Sequence, residues 1–159
     1  MAAPAPASEN RHEHTVALTR FFDAPRERVF EAWTDARQIA HWFAPQGFTI
    51  HSVAADATPG GEFRLCMRAP DGDEYWVRGE YREVTAPGRL VIFCTADDET
   101  GVMRLEELID VSFEEDGRGT RLSLKATASG RGKKAAGMLS GMDRGWAETI
   151  DRLALRVAR

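Results

Sequence analysis

Residues 61–85 read GEFRLCMRAPDGDEYWVRGEYREVT, and the two halves of this stretch alternate about a turn. Phe63, Leu65 and Met67 fall on one side of an extended chain while Glu62, Arg64, Cys66 and Arg68 fall on the other, the period of two that a half-buried strand requires. Pro70-Asp71-Gly72-Asp73 supplies turn residues. Beyond them Val77, Gly79 and Tyr81 alternate with Arg78, Glu80 and Arg82. The stretch is a pair of antiparallel strands with one apolar and one wet face. The same punctuation recurs on both sides of it, at Pro59-Gly60-Gly61, Pro87-Gly88 and Asp116-Gly117 with Gly119. Ile109, Val111 and Phe113 alternate with Asp110, Ser112 and Glu114. From Phe48 onward the spacing therefore predicts an antiparallel meander. In its last strand, Thr120 to Ala128, the apolar face runs Leu122, Leu124, Ala126, Ala128, so the inward residues shrink and leave room beneath them.

Outside the meander the period becomes helical. Thr15 to Phe22 mixes β-branched and aromatic residues as a strand does. A helix follows, with Asp23 as its cap and Pro25 in its first turn, and Val29, Phe30 and Trp33 on one face. A second short helix starts at Asp35, in a capping box with Gln38, and presents Ile39, Trp42 and Phe43 before Pro45 and Gly47 end it. After Ser129-Gly130 one long helix is predicted, with Met138, Met142, Trp146, Ile150, Leu153 and Val157 at spacings of three and four. Asp143, Arg144, Glu148, Asp151, Arg152 and Arg156 form its solvated side. Gly137, Gly141 and Gly145 recur at every fourth position of this helix, where each costs about 1 kcal/mol against Ala. Either the backbone packs closely on the sheet there or the helix gates a cavity.

The chain has 159 residues, 43% of them apolar, and 21 Lys plus Arg against 25 Asp plus Glu give a net charge of −4. One domain is expected, and a chain of this size buries about two thirds of its unfolded surface without help from disulfides or metals. Excess negative charge repels phosphate backbones and anionic lipid, so neither nucleic acid nor a membrane is an expected partner. No apolar run approaches the roughly 20 residues of a spanning helix. Met1 to Glu13 is rich in Ala and Pro and lacks the basic start and apolar middle of a secretory signal; it reads as a disordered tail, with the domain at 14–159. Cys66 and Cys94 form no Cys-x-x-Cys pair, and reduced thiols of a cytoplasmic protein are expected.

Strand, two short helices, six-stranded meander and C-terminal helix is the order of an α+β helix-grip fold, a curved antiparallel sheet of six to seven strands wrapped around the last helix. The residues carry a family resemblance as well. Leu18-Thr19-Arg20-Phe21-Phe22-Asp23-Ala24-Pro25, Val29-Phe30-Glu31-Ala32-Trp33-Thr34-Asp35 and His41-Trp42-Phe43-Ala44-Pro45 resemble the opening of the bacterial relatives of the Hsp90 ATPase activator C-terminal domain, in the SRPBCC or START-like superfamily. Pro59-Gly60-Gly61-Glu62-Phe63, Gly79-Glu80-Tyr81-Arg82-Glu83-Val84, Gly88-Arg89-Leu90-Val91, Gly119-Thr120-Arg121-Leu122 and Gly145-Trp146 continue it in order. Two positions depart: Phe43 stands where many relatives carry a second Trp, and Ala36 where a Pro is common. The resemblance implies a scaffold shared by lipid carriers, aromatic polyketide cyclases and co-chaperones, among which fold alone does not choose.

No nucleophile elbow, phosphate loop, dinucleotide fingerprint or His-Glu-x-x-His is present, and no cofactor or metal is expected. His12 and His14 lie in or beside the tail, and His41 and His51 read as solvated. The runs Asp97-Asp98-Glu99, Glu106-Glu107 and Glu114-Glu115-Asp116 read as solvated surface. A pocket carboxylate is open to Glu80, Glu83, Glu107 or Asp110 if a bulge turns one inward, and spacing does not rank them. The stronger signal is the inward set Trp33, Trp42, Phe43, Phe63, Met67, Tyr81, Phe93, Met138, Met142 and Trp146. Singly each is core; jointly they are the expected lining of a pocket between sheet and helix. The first expectation is binding of a small hydrophobic or aromatic molecule. The alternatives are a polyketide-cyclase-like or hydrolase-like enzyme on such a ligand, and a module associated with an Hsp90 homologue. A homodimer is compatible with the family, though no interface is legible.

Overall fold

The computed structural model describes residues 10–101 and 104–158. The chain runs β1 (Arg11–Phe22), α1 (Arg26–Thr34), α2 (Ala36–Trp42), β2 (Thr49–Ala55), β3 (Glu62–Arg68), β4 (Glu74–Thr85), β5 (Arg89–Asp98), β6 (Arg104–Asp116), β7 (Gly119–Arg131), α3 (Gly132–Ser140) and α4 (Met142–Val157). The strands form one seven-stranded sheet in the order β1-β7-β6-β5-β4-β3-β2, antiparallel at every step. From β2 to β7 this is the expected meander, and β1 closes the far edge against β7. Leu65, Tyr81, Ile92, Ile109, Val111, Phe113, Leu122 and Leu124 are buried on one face of the sheet together with Trp146, Ile150 and Leu153 of α4. The architecture is the α+β helix-grip arrangement. Gly79 fits β4 only as glycine, because a Cβ there would come within 1.9 Å of the Phe93 carbonyl oxygen on β5.

Several local expectations change. Of the tail, residues 1–9 lie outside the described residues, and Arg11–Glu13 belong to β1, where pairing with Arg131, Gly130 and Ser129 holds them extended. His12 and His14 are therefore strand residues, and His14 Nε2 lies 2.8 Å from Asp143 Oδ2 on the surface. Pro25 and not Asp23 is the N-cap of α1, with no side-chain cap bond. Asp35 does cap α2, its Oδ1 accepting from the backbone N–H of Arg37 at 2.8 Å and of Gln38 at 3.4 Å. The single long C-terminal helix is two helices broken at Gly141. The shrinking face of β7 leaves no void at its end, since Ala128 packs with Ala135 and Leu139 of α3. None of the described helices is long and apolar enough to cross a membrane.

The end of α1 is deeply buried. The last carbonyls of a helix have no partner inside it and must find donors elsewhere. Here the Trp42 Nε1–H donates to the Ala32 carbonyl at 2.9 Å, and the Tyr81 hydroxyl of β4 donates to the Trp33 carbonyl at 2.9 Å. Around them the Trp33 ring meets Trp42 edge-on at 4.7 Å, Phe43 at 6.1 Å and Phe113 at 6.2 Å, and stacks on Trp146 at 6.4 Å. A similar device holds the turn after α2: partly buried Arg152 of α4, expected on the wet side, donates to the carbonyls of Ala44, Pro45 and Phe48 at 3.0 to 3.2 Å. Burial lowers the Arg152 pKa from its ordinary value.

Removing the Tyr81 hydroxyl while keeping its ring leaves a buried helix-end carbonyl without a donor. Tyr81→Phe is expected to lower the unfolding free energy by about 1–3 kcal/mol, read as a shifted urea midpoint at unchanged slope; an unchanged midpoint refutes this role for the bond.

Candidate functional site

The apolar interior divides into two clusters. The larger surrounds Trp33, Trp42 and Phe113, and the smaller joins Tyr75, Leu105, Ala128, Ala135 and Leu139. Between them lies a cavity of about 340 Å³. Its floor is the sheet, with Met67 of β3, Tyr75 and Val77 of β4, Cys94 and Ala96 of β5, and Leu105 and Glu107 of β6. One wall is the segment after α2, through Phe43, Pro45 and Phe48, and the other is Met138, Met142, Trp146 and Thr149 of α3 and α4. Met67, Ala96 and Met142 pack against both clusters. Unbranched, polarizable Met side chains cover such a seam without fixing its volume.

The glycine stripe follows the same seam. Gly137, Gly141 and Gly145 all line the cavity, and Gly137 and Gly141 are exposed, which puts the mouth along this side of α3 and α4. A Cβ at Gly137 would touch nothing within 4 Å, and one at Gly145 would only brush Pro45 at 3.6 Å. Close packing of backbone on the sheet is therefore not what these glycines serve. They keep the opening clear, and Gly141 sits at the break between the two helices.

One carboxylate of the sheet enters this lining. Glu107 is flanked along β6 by Leu105 and Ile109 two residues to either side, and it shares their inward face. No bulge is involved, because β6 pairs with β5 in unbroken register and Glu107 lies opposite Cys94. Its Oε2 accepts the Trp146 Nε1–H at 3.0 Å. Part of its surface stays accessible through the cavity, yet the carboxyl is walled from bulk water, and that desolvation raises its pKa to about 7 against a small opposing effect of the indole N–H. Burial likewise pushes the Cys94 thiol well up, with Glu107 adding to it. Glu148, expected on the wet side of the last helix, also lines the cavity and accepts from Arg144 Nε at 3.1 Å. Among the described residues no Lys, Arg or His lines the cavity, and no cluster of His, Cys, Asp and Glu is placed to bind a metal ion.

Of the ten inward residues expected to line a pocket, Phe43, Met67, Met138, Met142 and Trp146 do so. Trp33, Trp42, Phe63 and Tyr81 are solid core instead, fully buried around the end of α1. Phe93 lies on the opposite face of β5, where the Arg82 guanidinium sits 4.2 Å from its ring centre. The other carboxylate candidates face outward: Glu83 and Asp110 both lie near Arg89, at 3.6 and 2.9 Å, and Glu80 near Arg82 at 3.6 Å. Asp98, read as solvated, is buried and pairs with Lys134. The signal for Glu107 was strand parity: 105, 107, 109, 111 and 113 are one face of β6, and the acidic neighbour Glu106 masked it.

Comparison with known proteins follows the fold. The family model described as Activator of Hsp90 ATPase homolog 1-like protein matches residues 23–158. Among solved structures, protein CV1439 from Chromobacterium violaceum superposes with a TM-score of 0.76 at 23% identity, over 92% of this chain and 98% of that one. A protein from Rhizobium leguminosarum gives 0.79 at 22%, over 94% and 97%. Protein Ms6760 from Mycobacterium smegmatis gives 0.66 at 25%, over 90% and 87%. No curated protein matches the chain.

The raised pKa of Glu107 has a definite sign in stability. Between the ordinary carboxylate range and about pH 7 the folded state keeps a proton that the unfolded chain has lost, so this group's contribution falls as pH rises through that window and levels off above it. Glu107→Gln is expected to match the parent near pH 4 and to exceed it by about 1–3 kcal/mol near pH 8. Thermal unfolding of both proteins across that range checks it, and a difference independent of pH rules it out.

Proposed function

The chain belongs to the Activator of Hsp90 ATPase homolog 1-like family, and from that premise we propose that it binds a small hydrophobic or aromatic molecule in the cavity between the sheet and helices α3 and α4. The observation that carries this reading is the cavity itself. Its volume of about 340 Å³ lies within the roughly 300–1,000 Å³ typical of small-molecule sites. Its lining is apolar and adaptable, with Met67, Met138 and Met142 beside Phe43, Phe48 and Trp146, and its polar atoms are few. A large apolar surface that selects by shape, with one placed acceptor that orients the guest, is the usual design of a site that encloses a hydrophobic ligand.

A second reading, acid–base catalysis on the bound molecule, is favoured by one observation. Glu107 faces the cavity with a pKa of about 7, so near neutral pH it can take up a proton or release one. The Trp146 indole, whose ring stacks on Trp33 and whose N–H donates to Glu107, would hold the carboxylate in place for that transfer.

Native mass spectrometry of freshly purified protein and a thermal-shift screen of hydrophobic and aromatic metabolites test the binding reading. A one-to-one adduct or a ligand-dependent rise in Tm is expected, and absence of both counts against it. Gly137→Leu separates cavity from scaffold, because the position has open space for a side chain. The variant should be more stable by about 0.5–1 kcal/mol from helix propensity while losing the ligand-induced shift. A shift as large as the parent's would place the ligand elsewhere.

A further inference from the structure

Glu107 also bears on what kind of head group the cavity takes, an inference that rests on the cavity being the ligand site. Its Oε2 is held by the Trp146 indole, and Oε1 has no hydrogen-bond partner among the described residues. That acceptor lies in a space whose other charged lining residue is Glu148, which is also acidic.

We infer that the molecule bound here is a hydrophobic amine, its ammonium head donating to Glu107 and its apolar body lying against Met67, Met138 and Met142. Three features of the lining converge on a cation. First, a carboxylate guest would meet Glu107, and beyond it a Glu148 already paired with Arg144, with no Lys, Arg or His among the described lining residues to offset Glu107, and a buried like-charge pair is strongly unfavourable. Second, the cations beside the lining are already engaged: Lys134, over the Tyr75 ring at 5.9 Å, is held by Asp98, Arg144 by Glu148 at 3.1 Å, and Arg152 by the carbonyls of Pro45 and Phe48. Third, Phe43, Phe48, Tyr75 and Trp146 present aromatic rings to the cavity, and their faces attract cations and repel anions.

The groups around Glu107 set the pH response. From β5 Cys94 faces it, a buried thiol that stays neutral because desolvation raises its pKa. From β4 comes Tyr75, whose hydroxyl pKa is also raised by burial. From β7 the opposing residue is Ala128, which does not titrate. Helix α4 contributes Trp146 and Glu148, while α3 and the segment after α2 contribute Met138, Phe43, Pro45 and Phe48 to the lining. Glu107 thus changes charge in the neutral range, and amine affinity rises as it ionises.

Isothermal titration with three probes of one shape, naphthylethylamine, naphthylethanol and naphthylacetate, tests this. The amine should bind at least about tenfold more tightly than the alcohol near pH 8, as a hydrogen bond to a charged acceptor allows, and the acid should bind least. The amine's advantage should shrink toward pH 5.5 as Glu107 takes up a proton, although the amine itself stays charged throughout at roughly the lysine pKa. Glu107→Gln should bring the ratio of amine to alcohol affinity to about one; if that variant does not fold, the pH dependence of the parent protein decides. Binding of the alcohol with no advantage for the amine, or an acid that binds as tightly, overturns the inference and leaves the cavity reading intact. Failure of all three probes to bind overturns both.

Discussion

A helix that ends inside a protein presents carbonyl oxygens that water cannot reach, and the fold is organised around meeting that demand at the end of α1. Trp42 from α2 and Tyr81 from β4 supply the donors, so each of the two aromatic side chains ties a separate element to the same turn of helix. The Trp33 ring then fills the space these bonds enclose, touching Trp42, Phe43, Phe113 and Trp146. An unpaired buried carbonyl costs more than a formed bond contributes, which makes this junction specific as well as stable. Arg152 repeats the logic for the turn after α2 and so anchors α4 to the wall of the cavity.

That rigid half explains the looser half. The cluster around Trp33 uses the large aromatics and leaves the cavity floor on β5 to Cys94 and Ala96, residues too small to close the gap to α3 and α4. Methionines bridge the seam, and glycines keep one side of it open. Glu107 sits where the two regimes meet. Trp146 links them directly, since its ring stacks in the core while its N–H holds the carboxylate. A desolvated carboxylate at a neutral pKa opposes folding at high pH, and proteins tend to keep such groups at sites that use them.

The fold was legible because alternation and turn residues are local properties. Ile109-Val111-Phe113 survives intact as a buried face of β6, while in β3 Phe63 and Leu65 are buried, Met67 is half-buried at the cavity, and Cys66, expected on the wet side, is buried as well. Asp35 caps its helix for the same local reason. The site was half legible. Phe43, Met67, Met138, Met142 and Trp146 reach the cavity as their faces predict, but Trp33, Trp42, Phe63 and Tyr81 have the same pattern and fill solid core. Periodicity assigns a side chain to a face, and whether that part of the face is packed or hollow depends on what arrives opposite it. Glu107 reaches the cavity as one of the four candidate carboxylates, without the bulge expected to turn it inward. Asp98, Glu148 and Arg152 carry charge that reads as solvated, yet Asp98 and Arg152 are drawn inward by partners from distant elements and Glu148 lines the cavity.

From sequence alone came the order of elements, the meander, the inward faces and the family, all set by short-range backbone chemistry and by the spacing of apolar residues. Only the tertiary structure decided that the last helix breaks at Gly141, that the void lies between two clusters instead of beneath β7, and that an inward glutamate of β6 meets an indole contributed from thirty-nine residues further along the chain. Those outcomes depend on which residues from distant strands and helices come face to face, and on how much water their meeting excludes. Neither quantity is written in any local stretch of the chain.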